Sequence, residues 1–180
     1  MKMKLKLKAI EATRESFAEY GQVVEAMDDG VNFGPLDAQL DLSNGTPRFY
    51  ILHIENRPFN FSKITHHAKV TQCLGSVDRQ SWYLGVAKPS IVADGDDANE
   101  RSVRSGCGHL FVPPSVDEIR VFRISGAKFV KLHKGTWHAG PLFRETARDF
   151  YNLELSNTNE VDQTTYNFEK ENEAFFEVED

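Results

Sequence analysis

Apolar and polar residues alternate along several short stretches of the chain. The first ten residues, MKMKLKLKAI, alternate lysine with apolar residues, which predicts a β-strand with one solvated face. Short stretches rich in β-branched and aromatic residues predict further strands at 49–55, 69–74, 82–87, 119–124, 128–133 and 150–155. Turn residues such as Gly75, Gly126 and Gly135 separate them. Many short strands separated by turns predict a mostly β fold, either a sandwich or a barrel.

The remaining segments predict a short helix, two loops and a polar tail. Thr13 is a suitable N-cap for a helix over residues 14–20. Residues 28–47 and 88–108 are polar and rich in turn-forming residues, so we expect loops, with residues 94–106 mobile. From residue 157 the chain is polar and acidic, with a Phe175-Phe176 pair able to dock on the body. Neither side of the 88–108 loop has enough strands to close a core, so we expect one domain over residues 1–180.

Composition narrows the class of protein. The 180 residues are 40% hydrophobic and include 13 phenylalanines, which is enough apolar surface to order the chain. No apolar run approaches the roughly 20 residues of a transmembrane helix, and the N-terminus lacks the apolar stretch of a secretory signal. The net charge is −6 and basic residues form no stripe, so neither a membrane nor nucleic acid is an expected partner. Cys73 and Cys107 form no CxxC pair, and we expect free thiols in the cytoplasm.

The stretch with the most chemistry is VFRISGAKFVKLHKGTWHAGPLF, residues 121–143. Its pattern predicts two strands, a Gly turn and then Trp137-His138, which places an imidazole beside a flat aromatic ring. This suits a barrel mouth that binds a small ligand, although a histidine in the core or on the surface is the alternative. His133 lies five residues earlier and is able to approach His138 across the turn. His66 and His67 are adjacent, so on a strand they face opposite ways and only one can line a given pocket.

These segments resemble the ureidoglycolate lyase family, whose members adopt a cupin-like double-stranded β-barrel. The matching pieces are SFAEYGQVVE, NGTPRF, CLGS, the 121–143 stretch and DFYNLEL, in the same order along nearly the whole chain. The segment ITHHAKVTQCLGS is typical of plant and related eukaryotic members. The resemblance therefore implies a cupin-like barrel with a short N-terminal helix, and a homodimer.

The resemblance also implies an activity and a set of site residues. The reaction releases glyoxylate and urea from (S)-ureidoglycolate during allantoin and purine breakdown. His138 would act as general base or acid, with His133 in a supporting role, because imidazole transfers protons near neutral pH. An arginine is suited to bind the substrate carboxylate, and Arg48 in NGTPRF is the candidate. Further substrate-binding candidates share a polar or aromatic side chain near this motif: Gln72, Gln80, Trp137 and Glu154.

One position departs from the family pattern. Bacterial members carry Arg-His-Pro-Leu-Gly where this chain has Thr71-Gln72-Cys73-Leu74-Gly75, so Gln72 occupies the histidine position. Glutamine is a poor ligand for Zn²⁺ or Fe²⁺, which disfavours a tight metal site without deciding whether a divalent metal binds. The alternative function is a cupin-fold protein of the same descent that binds a small carboxylate or sugar without lyase activity.

Overall fold

The computed structural model describes residues 3–93 and 100–180, and most of them lie in β-strands. Two short α-helices, α1 (Thr158–Val161) and α2 (Phe168–Glu171), and one 3₁₀ turn (Val116–Glu118) complete the regular structure of this part of the chain. The strands are β1 (Met3–Glu11), β2 (Gly21–Glu25), β3 (Pro47–Glu55), β4 (Asn60–Phe61), β5 (Lys63–His66), β6 (Gln72–Ser76), β7 (Trp82–Ala87), β8 (Ile91–Val92), β9 (Val103–Arg104), β10 (Leu110–Phe111), β11 (Arg120–Ile124), β12 (Lys128–Leu132), β13 (Trp137–Leu142), β14 (Ala147–Leu155), β15 (Thr164–Asn167) and β16 (Ala174–Glu179).

The strands form two large sheets and one small sheet. The larger has eight strands in the order β15-β5-β13-β7-β11-β1-β16-β4, and the second has five in the order β2-β12-β6-β14-β3. Strands β8, β10 and β9 form the small sheet. The curled sheets make a cupin-like β-barrel, which confirms the predicted fold class.

Strand β7 lies at the centre of the molecule because both of its faces are apolar. Trp82 and Leu84 point into one core cluster, which lies between the two large sheets. Tyr83 and Ala87 point into a second cluster on the other face of the eight-stranded sheet. Gly85 is required here, because a Cβ at this position would lie 2.4 Å from the ring of Phe61.

The predicted strands are confirmed, most closely at β7, except that residues 69–71 lie outside β6. The predicted helix at 14–20 is wrong. Thr13 does act as a cap, since its hydroxyl oxygen accepts a hydrogen bond from the Ser16 amide at 3.0 Å. However, the backbone hydrogen bonds that follow form separate turns, from the Phe17 N–H to the Thr13 carbonyl at 3.1 Å and from the Tyr20 and Gly21 N–H groups to the Phe17 carbonyl at 2.9 and 3.0 Å. Residues 14–20 are therefore a run of turns that leads directly into β2.

The acidic segment after residue 157 is part of the fold rather than a tail. Strand β16 pairs in parallel with β1, with Leu5 opposite Phe176, and Phe176 is fully buried. Strand β15 pairs with β5, with Thr164 opposite His66. The sequence pattern does not predict these strands, because their apolar residues are few and lie among many charges.

The polar 88–108 segment contributes strands β8 and β9, so it is not a continuous loop. Of the stretch expected to be mobile, residues 94–99 lie outside the described residues, and mobility of residues 100–106 stays a prediction. In the described parts of the chain, no helix is long and apolar enough to cross a membrane.

Candidate functional site

A cleft with a volume of about 620 Å³ opens between the edges of the two large sheets. The five-stranded sheet contributes residues from β3, β6 and β14, and the eight-stranded sheet contributes residues from β5 and β13. The segment over residues 57–62, which includes β4, and the segment around α1 complete the wall. This is the position of a ligand site in the mouth of a barrel.

Two imidazoles face each other across this cleft. His138 lies opposite Thr65 in the pairing of β13 with β5, and His67 lies two residues beyond Thr65 on the same face. The ring centroids of His67 and His138 are 5.3 Å apart. Strand pairing therefore places His138 beside the end of β5, where His67 follows.

Backbone carbonyls set the tautomer of both rings. The Nδ1–H of His67 donates to the Asp162 carbonyl at 2.7 Å, and the Nδ1–H of His138 donates to the Thr136 carbonyl at 3.2 Å. A carbonyl oxygen only accepts, so Nδ1 carries the proton, and in the neutral ring Nε2 keeps its lone pair. Burial, and secondarily the nearby His67, lowers the pKa of His138 to about 3. His138 is thus a neutral proton acceptor at pH 7.

The opposite face of the same strands carries a separate aromatic cluster. His66 alternates with His67 and packs on Trp137 with ring centroids 3.9 Å apart. The Trp137 indole is fully buried and donates from Nε1 to the Ser90 hydroxyl at 2.9 Å. The prediction that His66 and His67 face opposite ways is confirmed. Trp137, predicted to bind substrate, does not line the cleft.

The floor of the cleft is a hydrogen-bonded polar network. Asn152 Nδ2 donates to the Tyr50 hydroxyl at 2.9 Å, and this hydroxyl donates to Glu154 Oε1 at 3.1 Å. Gln72 Nε2 donates to Asn152 Oδ1 at 3.0 Å and to Glu154 Oε2 at 3.2 Å. These two acceptors fix the orientation of the Gln72 amide and leave its Oε1 buried without a hydrogen-bond partner. Gln72 and Glu154 therefore line the cleft, and their predicted contact with the substrate stays a prediction.

Arg57 supplies a positive charge on the cleft wall. It lies on the loop after β3 and donates from Nη1 to the Pro141 carbonyl at 3.3 Å. Burial lowers the pKa of Arg57, but a guanidinium remains charged at neutral pH. Arg48, the arginine chosen from sequence, is exposed and lies over the Tyr50 ring, 3.7 Å from its centroid. Arg48 is adjacent to the floor network but does not line the cleft.

Two other predicted site residues lie away from the cleft. His133 lies after β12, and its Nε2 is 3.1 Å from the Ala18 carbonyl oxygen. The residue lines a different surface depression. Gln80 is exposed before β7, and its backbone N–H donates to Asp78 at 3.0 Å. The structure therefore does not bring either residue to His138. The sequence pattern left open whether His66 or His67 lines a pocket, and it did not predict Arg57 or Asn152. Asn152 had a local signal, since it shares a strand face with Glu154.

The family model for ureidoglycolate lyase matches residues 4–174. The chain belongs to the ureidoglycolate lyase family. The match runs through both large sheets and includes every cleft residue except Phe175. Because it covers nearly the whole chain, it supports ureidoglycolate lyase activity. A search of curated proteins found no significant match.

The donor set of the cleft does not fit the tight metal centre found in metal-binding cupins. Among residues 3–93 and 100–180, no three histidine, cysteine or carboxylate side chains converge as ligands. The cleft instead combines two imidazoles with an amide oxygen from Gln72, and Glu154 already accepts two hydrogen bonds. Transition metals favour three or more imidazole, thiolate or carboxylate ligands.

Proposed function

We propose that this protein is a ureidoglycolate lyase that converts (S)-ureidoglycolate to glyoxylate and urea. The observation that carries the proposal is the pair of imidazoles, His67 and His138, both with Nε2 available at a cleft in a chain of this family. The substrate carries a carboxylate, a hydroxyl and a ureido group on one carbon. The cleft offers a group suited to each of them.

The reaction needs one proton transfer on each side of the reacting carbon. The hydroxyl O–H loses its proton as the C=O bond of glyoxylate forms, the C–N bond breaks, and the ureido nitrogen gains a proton as urea leaves. A neutral imidazole is suited to take the hydroxyl proton, and the imidazolium so formed is suited to supply the proton for nitrogen. We assign these two steps to the His67–His138 pair, with His138 as the base because burial keeps its ring neutral.

The other cleft residues set the orientation of the substrate. The Arg57 guanidinium is suited to hold the carboxylate through charge-assisted hydrogen bonds. The unpartnered Gln72 Oε1 accepts hydrogen bonds only, and so it suits the N–H groups of the ureido end. This arrangement directs the hydroxyl and the leaving nitrogen toward the imidazoles.

The direct test is to incubate the purified protein with (S)-ureidoglycolate and to follow glyoxylate. We expect turnover above the spontaneous rate. The assay is repeated with added divalent metal, because the family resemblance leaves a metal open. Binding of the substrate without turnover under both conditions would favour the alternative function, a carboxylate-binding protein of the same descent.

Two further properties belong to this proposal. We propose a homodimer, which the family resemblance implies and the exposed apolar strand β3 favours. We propose a cytoplasmic location on the chemistry of Cys73 and Cys107, which are both free thiols.

A further inference from the structure

His67 lies just beyond the end of β5, so the ladder of that strand does not hold it in place. Strand β5 ends at His66, and the next strand, β6, begins at Gln72. Residues 67–71 form a connection between these two strands. The His67 carbonyl accepts a hydrogen bond from the Gly135 N–H at 2.7 Å, which holds the main chain but does not orient the side chain. The orientation of the His67 ring must therefore come from other contacts.

Asp162 supplies these contacts from a distant part of the sequence. It follows α1 and is 2% exposed. Its carboxylate accepts hydrogen bonds from the backbone N–H groups of Ala68 at 2.9 Å and Lys69 at 2.8 Å. Its backbone carbonyl accepts the Nδ1–H of His67 at 2.7 Å. One residue thus binds three consecutive residues of the 67–71 connection.

The three hydrogen bonds have a chemical consequence at the cleft. The bonds to Ala68 and Lys69 hold the main chain beside Asp162, which keeps its carbonyl within reach of the imidazole. The bond to Nδ1 then excludes the Nε2–H tautomer of neutral His67. As a result, His67 presents a lone pair rather than an N–H toward His138 and the substrate.

We propose that Asp162 is a positioning residue for ureidoglycolate cleavage, which fixes the orientation and the tautomer of His67 through residues 67–69. The inference rests on the proposed function, in which His67 transfers a proton. Asp162 itself does not contact the reacting atoms. A misplaced or wrongly protonated imidazole weakens the chemical step more than it weakens substrate binding.

The test is Asp162→Asn. The asparagine amide has one acceptor oxygen where the carboxylate has two, so its NH₂ group would face either the Ala68 or the Lys69 backbone N–H and could not accept its hydrogen bond. We expect kcat to fall about 100-fold, the scale of a misplaced catalytic group, with KM nearly unchanged. NMR of protein labelled with ¹⁵N-histidine should show His67 changing from the Nδ1–H tautomer to a mixture of tautomers. The matched control is Asp78→Asn, since Asp78 also accepts a backbone N–H, from Gln80, but lies outside the cleft. The control should keep the wild-type kcat and His67 tautomer.

The outcomes separate this inference from the proposed function. Wild-type protein without turnover would refute the lyase, while the tautomer measurement would still decide the role of Asp162. If Asp162→Asn lowers the melting temperature but keeps both kcat and the His67 tautomer, Asp162 is only structural and the inference is overturned. If the Asn variant does not fold, Asp162→Glu keeps the charge and displaces it by one methylene. We then expect reduced kcat with a mixed tautomer, and wild-type values of both would overturn the inference.

Discussion

At the residue scale, the chemistry of His138 depends on a partly buried ring that is neutral at pH 7. We predict that His138→Asn lowers kcat by about 100- to 10,000-fold, the usual effect of losing a general base. The melting temperature should change little, because no charge is removed at pH 7 and the ring makes one hydrogen bond, to the Thr136 carbonyl. Steady-state kinetics and a thermal melt on the same sample check both statements.

The control for this substitution is His53→Asn. His53 is exposed on β3 and contacts Asp149 and Glu55 rather than the cleft, so its variant should keep wild-type turnover. A large drop in melting temperature with kcat near wild type would show that His138 is a structural histidine. The assignment of the base would then be wrong.

Arg57 lines the cleft and Arg48 lies outside it, so substitutions of these two arginines test which one binds the substrate carboxylate. We predict that Arg57→Gln raises KM about 10- to 100-fold, because a hydrogen bond to a charged group contributes about 1.5–3 kcal/mol. Arg48→Gln should have a small effect, since that guanidinium lies over Tyr50 outside the cleft. Initial-rate kinetics over a range of substrate concentrations separate KM from kcat. A larger rise in KM for Arg48→Gln than for Arg57→Gln would show that Arg48 binds the substrate carboxylate.

At the element scale, one histidine pair connects the small sheet to the barrel. His66 on β5 and His109 before β10 share a hydrogen bond between their Nε2 atoms at 2.7 Å, so only one of these atoms can carry a proton. His109 Nδ1 also lies 3.0 Å from the Ser105 hydroxyl. Burial is the main cause that lowers the pKa of both rings, to about 3 for His66. The neighbouring titratable groups that modify these pKa values are His109, His67 and His138 for His66, and Asp162 and Lys69 for His109.

The sign of the pH effect follows from these lowered pKa values. The folded protein keeps both imidazoles neutral, whereas the unfolded chain binds protons below about pH 6.5. The stabilising contribution is therefore present above pH 6.5 and is lost as the pH falls toward 3. For His66 the loss between pH 7 and 5 amounts to about 2 kcal/mol, at 1.36 kcal/mol per pH unit below 6.5.

We predict that the melting temperature falls between pH 7 and pH 5, and that His109→Gln makes this fall shallower. A glutamine amide can still donate to His66 Nε2, but it does not titrate. Melting temperatures of both proteins, measured by calorimetry at pH steps of half a unit, check the prediction. Parallel curves for the two proteins would show that the His66–His109 pair does not contribute to the pH dependence.

At the scale of the whole molecule, the outer face of the five-stranded sheet is apolar and exposed. Strand β3 is at the edge of this sheet, and its outward residues Phe49 and Ile51 are 69% and 57% exposed. Beside them Tyr151 stacks on Phe49, with ring centroids 6.0 Å apart. A long apolar edge strand invites pairing with another strand, and a two-fold axis would bring β3 against β3 of a second copy.

We predict a homodimer in solution, and a monomer for Ile51→Lys, because a lysine on an edge strand opposes pairing. Light scattering at micromolar concentration measures both masses. Ile10→Lys is the control, since Ile10 is 41% exposed on β1 of the other large sheet. A monomeric mass for the wild-type protein would contradict the homodimer.

Local residue patterns determined several strands of the barrel and some of its site residues. Strand β7 was predicted from its run of β-branched and aromatic residues, which fit a strand that is buried on both faces. The two-residue period of a strand separated His66 from His67. The motif Gly135-Thr-Trp-His138 likewise identified the imidazole that lies in the cleft.

Only the tertiary structure decided which of these residues meet. His133 is closer to His138 in sequence than His67 is, yet the turn at Gly135 sends β13 to the other large sheet, where it pairs with β5. Asp162 reaches His67 across 95 positions of sequence. Such contacts depend on strand register and on the path of the chain, which are set by packing between distant segments. No local pattern of residues encodes them.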